Sequence, residues 1–184
     1  TQELARALLG LGVRVSILTS VRAADPEGAR QRHDPRVLPV VRRWDWGTAG
    51  MIEHLCTDLG ADWIHVQYQT AAYRMHPAIN FAPWYWQRQG RRVAWTYHDL
   101  LVPYLFPKAG ARLRRWVTLR PARHAARTVV TNEADRLQLA AQGLAATQIP
   151  IGSNIQGVAL SPAARTARRA ERGDSVVAVQ VVGA

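Results

Sequence analysis

Short apolar runs alternate along this chain with stretches that carry apolar residues at helical spacing. The runs are mostly continuous, which is typical of parallel strands covered by helices on both faces. The predicted strands are 13–19, 36–41, 62–67, 92–97, 127–131 and 147–151. The predicted helices are 1–12, 47–59, 77–89, 110–126, 133–142 and 162–172. The pattern therefore predicts an α/β fold, with a Rossmann-like parallel sheet and helices on both faces.

The pattern at both ends of the chain is that of an interrupted β-α-β unit. The first helix leads into a strand, and such a helix normally follows an earlier parallel strand. At the other end, 175–184 is an apolar run, and it follows an arginine-rich polar segment, 156–174. We expect a sheet domain over 1–155 without its first strand, a linker over 156–174, and the first strand of another domain over 175–184. The chain is thus expected to be truncated at both ends.

An ionisable pair, His98 and Asp99, directly follows the predicted strand 92–97. In an open parallel sheet, ligands bind outside the carboxyl ends of the strands, so this pair is expected to face a crevice. Polar groups follow the other strands at the same edge. They are Thr19, Ser20, Gln67, Tyr68, Gln69, Asn132, Glu133, Gly152, Ser153 and Asn154. Hydroxyl, amide and imidazole groups suit a polyhydroxylated ligand such as a sugar.

Each of these residues also has a structural interpretation. His98 would donate to a backbone carbonyl, and Asp99 would cap the following loop or orient His98. Asn132 has the position of an N-cap for the helix 133–142, a role that is compatible with lining a crevice. The other histidines, at 33, 54, 65, 76 and 124, show no mutual spacing and are interpreted as structural or exposed. Trp63 and Trp95 lie within strands and are predicted to be core residues.

Composition narrows the class of protein. The chain of 184 residues has one cysteine, Cys56, so an internal disulfide is excluded and a reducing, cytoplasmic setting is expected. No apolar stretch approaches the roughly 20 residues that span a bilayer. The His and Cys residues lack metal-ligand spacing, and neither a G-x-S-x-G nucleophile turn nor a G-x-x-x-x-G-K-[ST] phosphate loop is present.

The net charge of +11 comes almost wholly from arginine, since Lys108 is the one lysine among 24 basic residues. The arginines are spread along the chain, with small clusters at 42–43, 91–92, 112–115 and 165–172. Solvated helix faces account for such a distribution, and an anionic membrane surface or substrate is the alternative.

Several segments, in their order and spacing, resemble the N-terminal domain of a GT-B glycosyltransferase of the retaining group-1, or family-4, kind. The segments are ELARALLGLGVRVSILTS, DWIHVQYQ, TYHD, VVTNEADR and IPIGSNI. The resemblance covers 1–155, and the terminal strand is similar to the first strand of such an enzyme's second domain.

The resemblance implies a hexosyltransferase that moves a sugar from a nucleotide-sugar donor to a glycan, lipid or small-molecule acceptor. It implies a retaining mechanism that needs no metal and no other cofactor. His98 matches the family's sugar-contacting histidine, and Asp99 is expected to support it. The expected crevice residues are Gln67, Gln69, Asn132 and Asn154. Because the donor-binding domain is missing, the 184-residue chain alone is expected to be inactive. The resemblance also favours peripheral contact with the anionic inner face of a membrane.

Two other classes of function compete with this one. The first is an arginine-rich nucleotide- or nucleic-acid-binding α/β module without catalysis, whose binding would collapse with salt and would not depend on His98. The second is a catalytically silent protein that docks on a partner through an exposed aromatic face and shows no sugar specificity.

Overall fold

Helices and strands alternate along the chain, as the sequence pattern predicts. The structure, a computed structural model, describes residues 2–21, 35–100 and 110–151. The first elements are α1 (Gln2–Gly10), β1 (Ser16–Ser20), β2 (Arg36–Val41), α2 (Thr48–Leu59), β3 (Trp63–Tyr68) and a short 3-10 helix (Thr70–Tyr73). They are followed by α3 (Ala78–Arg88), β4 (Arg92–Tyr97), α4 (Ala111–His124), β5 (Arg127–Val130), α5 (Glu133–Ala140) and β6 (Thr147–Gln148).

The strands form parallel sheets flanked by helices, which confirms the predicted Rossmann-like α/β class. β3, β4, β5 and β6 lie side by side in that order, and each neighbouring pair is parallel. β1 and β2 form a separate parallel pair. Among the described strands, none lies between β1 and β3 to join the two groups. The predicted helix 162–172, linker 156–174 and strand 175–184 lie outside the described residues.

Strands β1 and β6 differ most from their predicted ranges. β2 and β4 match their predicted ranges, whereas β6 pairs through only two residues, Thr147 and Gln148. Pro150 follows closely, and proline has no N–H with which to continue a ladder. The glycine after α1, Gly12, has a φ of 80°, the left-handed conformation expected of a helix C-terminal glycine.

The core lies against one face of β3 and β4. Ile64, Val66 and Tyr68 alternate along β3 as buried residues, and Trp95 and Tyr97 are completely buried on β4. Helices α2, α3 and α4 contribute side chains to the same cluster. Because strand side chains alternate between faces, the opposite face of β3 carries the residues between these apolar positions.

Trp63 corrects a prediction, because it is 44% exposed rather than part of the core. It is the first residue of β3, a strand with a hydrogen-bonded neighbour on one side only among the described strands. The Arg92 guanidinium lies 5.1 Å from the centre of its ring. Trp95, by contrast, is fully buried, as predicted.

Polar contacts connect the helices to one another and to the strands. Trp86 on α3 donates its indole N–H to the carbonyl of Ala49 on α2 at 2.9 Å. The guanidinium of Arg91, just before β4, donates to Glu53 on α2 at 2.8 and 2.9 Å. The hydroxyl of Tyr97 on β4 donates to the Thr118 carbonyl on α4 at 2.8 Å. Among the described residues, no helix is both long and apolar enough to span a membrane.

The Tyr97 hydroxyl gives a stability prediction. Tyr97→Phe removes a donor from the fully buried end of β4 and should lower the free energy of unfolding by about 1–2 kcal/mol. The matched control is Tyr85→Phe on α3, whose half-buried hydroxyl hydrogen-bonds to no described residue. Chemical denaturation of both variants checks this expectation, and equal destabilisation of the two would contradict it.

Candidate functional site

His98 lies where three strands end together. Its backbone N–H donates to the Tyr68 carbonyl at 3.1 Å, which continues the pairing of β4 with β3 by one residue. Its carbonyl accepts a hydrogen bond from the Thr131 hydroxyl at 3.1 Å, directly after β5. His98 is therefore held on both sides at the carboxyl edge of the sheet, as the sequence predicts.

The His98 ring is positioned by Gln67. The His98 Nε2 atom lies 2.9 Å from the Gln67 side-chain oxygen. An amide oxygen can only accept, so His98 Nε2 must carry the hydrogen in this pair. In the neutral ring, Nδ1 then holds the lone pair and is the acceptor atom. Gln67 thus fixes which nitrogen of His98 accepts a hydrogen bond.

The amide nitrogen of Gln67 extends the contact to a second histidine. It lies 2.9 Å from Nε2 of His65, and the Thr96 hydroxyl lies 2.8 Å from the same atom. Because an amide nitrogen can only donate, His65 Nε2 is an acceptor and the neutral ring carries its hydrogen on Nδ1. We call Thr96, His65, Gln67 and His98 the imidazole–amide network.

Both imidazoles of the network resist protonation. His65 is exposed at its surface, but partial desolvation of its ring against the sheet lowers its pKa below the ordinary value of 6.5, and the neighbouring His98 lowers that pKa further. Burial also lowers the pKa of His98, while the Asp99 carboxylate acts in the opposite direction. Both rings are therefore neutral at pH 7 and interact with a ligand through hydrogen bonds rather than through charge.

The other predicted site residues are less closely associated with His98. Asp99 is half-buried beside it and acts on it through charge, whereas the ring nitrogen contacts Gln67. Gln69 is exposed beyond the end of β3, where its carbonyl accepts from the Ala72 N–H at 2.9 Å. The roles proposed for Asp99 and Gln69 stay predictions.

Asn132 is the N-cap of α5, which confirms the structural interpretation of this residue. Its side-chain oxygen accepts from the Asp135 N–H at 2.8 Å, and its amide nitrogen donates to the Asp135 carboxylate at 2.9 Å. Glu133 pairs with Arg136 in the first turn of the same helix. The remaining predicted positions, Asn154 with Gly152 and Ser153, lie outside the described residues, as does most of the loop after Asp99.

His65 belongs to the network, although its position along the chain was interpreted as structural or exposed. Its relation to His98 is not visible in the spacing of the histidines, because Gln67 connects the two rings across β3 and β4. The available signal was the two-residue separation of His65 and Gln67, which places both side chains on one face of β3. The parallel register then pairs Gln67 with Thr96 on β4.

The network is suited to binding a neutral polar ligand. It offers a fixed imidazole acceptor at the edge of the sheet, next to the Asp99 carboxylate. Within residues 2–21, 35–100 and 110–151, no group of three or more His, Cys, Asp or Glu residues could hold a metal ion. A groove lined by Arg123, Arg127 and Thr147 lies at the amino-terminal ends of β5 and β6, away from His98.

The first prediction for this site concerns the tautomers. Long-range ¹⁵N–¹H NMR of the chain should show hydrogen on Nε2 of His98 and on Nδ1 of His65. Gln67→Leu should remove the preferred tautomer of both histidines. Gln67→Glu should raise the pKa of both histidines, because a carboxylate stabilises each imidazolium. Gln69→Leu, two residues along the chain and exposed, is the matched control and should change neither ring. The reverse tautomer at His98 would contradict the network.

The second prediction concerns pH. The folded-state pKa values of His65 and His98 lie below 6.5, so their contribution to stability is complete above pH 6.5. It is lost as the pH falls through the lowered values, because the unfolded chain then binds more protons. Denaturation at about pH 7.5 and pH 5.5 should show a smaller loss of stability in His65→Gln than in the parent chain. The control is His54→Gln, which replaces an exposed residue of α2. This variant should lose as much stability between the two pH values as the parent chain does.

The family to which the chain belongs is shown by its match to a family model. The family model described as Glycosyltransferase Family 4 matches residues 1–155. No curated protein and no solved structure matches the chain. Because the family match covers well over half of the chain and every described residue, the chain belongs to Glycosyltransferase Family 4.

Proposed function

We propose that this chain is the N-terminal, acceptor-side domain of a GT-B glycosyltransferase of the hexosyltransferase type. The enzyme transfers a sugar from a nucleotide-sugar donor to a glycan, lipid or small-molecule acceptor. The anomeric configuration is retained, and neither a metal nor another cofactor takes part. The single observation that carries the proposal is the neutral His98 ring, fixed by Gln67 at the carboxyl edge of the sheet in a member of this family.

His98 is proposed to position the transferred sugar. Since Gln67 occupies Nε2, the Nδ1 atom is the one that accepts from a sugar hydroxyl. A neutral imidazole suits this task because it hydrogen-bonds without placing a second positive charge beside the developing cationic sugar. The Asp99 carboxylate adjoins that position and favours positive charge there.

The proposed transition state resembles an oxocarbenium ion, with negative charge growing on the departing diphosphate. That charge needs basic groups or helix N-termini, which are assigned in this proposal to a second domain beginning at 175–184. The described residues supply the sugar and acceptor side. Gln69 and Asn154 remain proposed crevice residues, while Asn132 contributes chiefly by starting α5. The proposed setting is cytoplasmic, with the acceptor at or near the inner face of the membrane.

One observation favours the competing function, an arginine-rich module that binds nucleotides or nucleic acid. Helix α4 carries five arginines and no acidic residue. Such a module needs neither His98 nor its network. The two proposals therefore predict different effects of a change at His98 and of added salt on the protein's binding and activity.

The test is a donor assay on the protein extended in both directions through its reading frame. Release of nucleotide is measured with UDP-, GDP- and ADP-sugars. We expect one donor to be used, and His98→Ala to lower kcat/KM at least about tenfold, a loss near 1.4 kcal/mol of transition-state stabilisation. Gln67→Leu should lower it by a smaller factor, because His98 remains but is no longer fixed.

The matched control is His54→Ala, a histidine exposed on α2, which should leave kcat/KM unchanged. In this proposal the donor side belongs to a second domain, so the 184-residue chain alone should show no transfer. Binding of polyanions that collapses with salt, together with no use of any donor, would replace the proposal with the arginine-rich module.

A further inference from the structure

The connections that follow β2 and β3 meet at an exposed aromatic surface. Trp46 belongs to the connection from β2 to α2 and is 63% exposed. Its ring lies 5.7 Å from the ring of His76, in the connection from β3 to α3. It also lies 5.6 Å from the ring of Phe81, near the start of α3. We call Trp46, His76 and Phe81 the aromatic shelf.

The Trp46 ring is open to a ligand. Its plane makes an angle of 73° with the His76 ring and 56° with the Phe81 ring, so neither ring is stacked in parallel on it. Its exposed fraction is larger than that of any other described tryptophan. No described arginine lies over it. Arginines do lie over three other exposed tryptophans, Trp63, Trp84 and Trp116.

His76 adds a hydrogen-bond donor beside this ring. Its Nδ1 atom accepts from the Ala78 N–H at 3.2 Å. In the neutral ring the hydrogen is therefore on Nε2. Among the described residues, none hydrogen-bonds to this Nε2 atom, and His76 is only half-buried. The Nε2–H group is thus available to a ligand that lies against Trp46.

The loop that carries Trp46 is fixed by its own hydrogen bonds. The Thr48 hydroxyl donates to the Arg43 carbonyl at 3.0 Å and accepts from the Asp45 N–H at 3.0 Å. The Asp45 carboxylate accepts from the Gly47 N–H at 3.0 Å. These bonds lie on both sides of Trp46, so little backbone freedom remains to be lost when a ligand binds there.

Backbone strain marks the other side of the shelf. Arg74 and Met75, which directly precede His76, have φ values of 52° and 56°. This left-handed region is disfavoured for residues with a side chain, and two consecutive residues occupy it here. Strain of this kind persists where the surrounding structure enforces it, and it is concentrated at ligand-binding sites.

The shelf adjoins the imidazole–amide network. The ring of Trp44, in the same loop as Trp46, lies 4.6 Å from the ring of Tyr73. The Tyr73 hydroxyl donates to the Gln67 carbonyl at 2.9 Å, and the Gln67 side chain contacts His98. The two connections that carry the shelf are therefore attached to the residue that positions the His98 ring.

We propose that the aromatic shelf binds the sugar ring of a glycoside, which the enzyme uses as its acceptor. A pyranose has a face of C–H groups that packs on an aromatic ring and a rim of hydroxyl groups that accept from N–H donors. Trp46 supplies the ring, and His76 supplies the donor at Nε2. A purely apolar ligand would cover this N–H without giving it an acceptor, which is unfavourable.

The acceptor role rests on the proposed function, whereas binding of a sugar ring does not require transfer. If the acceptor is a glycoside, a reaction that forms a glycosidic bond must supply it. The present enzyme would then extend an existing glycan or glycolipid rather than attach the first sugar.

NMR titration of the ¹⁵N-labelled 184-residue chain tests the binding. The probes are methyl β-D-glucopyranoside, methyl α-D-mannopyranoside and acyclic sorbitol, which has hydroxyl groups but no ring face. We expect at least one glycoside to shift the Trp46 indole signal, with a Kd on the order of 1–10 mM, and sorbitol to leave it unchanged. Trp46→Ala should weaken binding, followed at the His76 signals, at least about tenfold.

Two further variants separate the ring from its donor and supply a control. His76→Asn can keep the bond to the Ala78 N–H as an Asx turn but loses the Nε2–H, and it should weaken binding about two- to tenfold. Trp63→Ala removes a tryptophan that is 44% exposed at the amino end of β3. It should bind the glycosides like the parent chain.

The extended protein tests the acceptor role. With a glycoside acceptor and the donor that the enzyme uses, Trp46→Ala should raise KM for the acceptor at least about fivefold and affect kcat less. Sugar transfer with an unchanged acceptor KM in this variant would refute the shelf alone. Glycoside binding at Trp46 without use of any donor would instead refute the enzyme and the acceptor role.

Other results would overturn the sugar site itself. They are the absence of a shift at about 50 mM of either glycoside, an equal shift with sorbitol, and an equal loss of binding in Trp63→Ala. A shift caused by dodecylphosphocholine micelles but by neither glycoside would make the shelf a lipid contact. Because Trp46 is exposed, Trp46→Ala is expected to fold, and the unchanged indole signals of the buried tryptophans verify this.

Discussion

The parallel pairing of β4 with β3 on one side and β5 on the other is the constraint on which the site depends. It continues beyond the last strand residue, since the His98 N–H still reaches the Tyr68 carbonyl. On the other side, the Thr131 hydroxyl, directly after β5, donates a hydrogen bond to the His98 carbonyl. A residue whose N–H and C=O are both engaged in this way has little freedom to turn, so the direction of its side chain is set by the backbone. The imidazole ring therefore needs only one further contact to be fixed, and Gln67 supplies it.

The alternation of side chains along the strands also separates the apolar residues from the polar ones. Along β3, Val66 and Tyr68 enter the aromatic core, and His65 and Gln67 necessarily point to the other side. A one-residue shift in register would bring both polar groups into the core and expose the apolar ones, at a large cost in burial. Core packing thus selects the register, and the register places Gln67 beside Thr96. The hydrogen-bond network is stabilised indirectly by residues that it never touches.

Sequence patterns predicted the fold well because the apolar runs are long and flanked by clear helices. β2 and β4 were predicted residue for residue, and His98 was correctly placed at the end of β4. The predictions that were wrong or incomplete concern residues whose environment depends on tertiary contacts. Trp63 has the composition of a core residue, but it begins β3 and is stacked by Arg92 rather than covered. His65 was overlooked because its partners belong to two strands, and pairing across strands is not visible in spacing along the chain. Asn132 was predicted better, since a cap is a local interaction with Asp135.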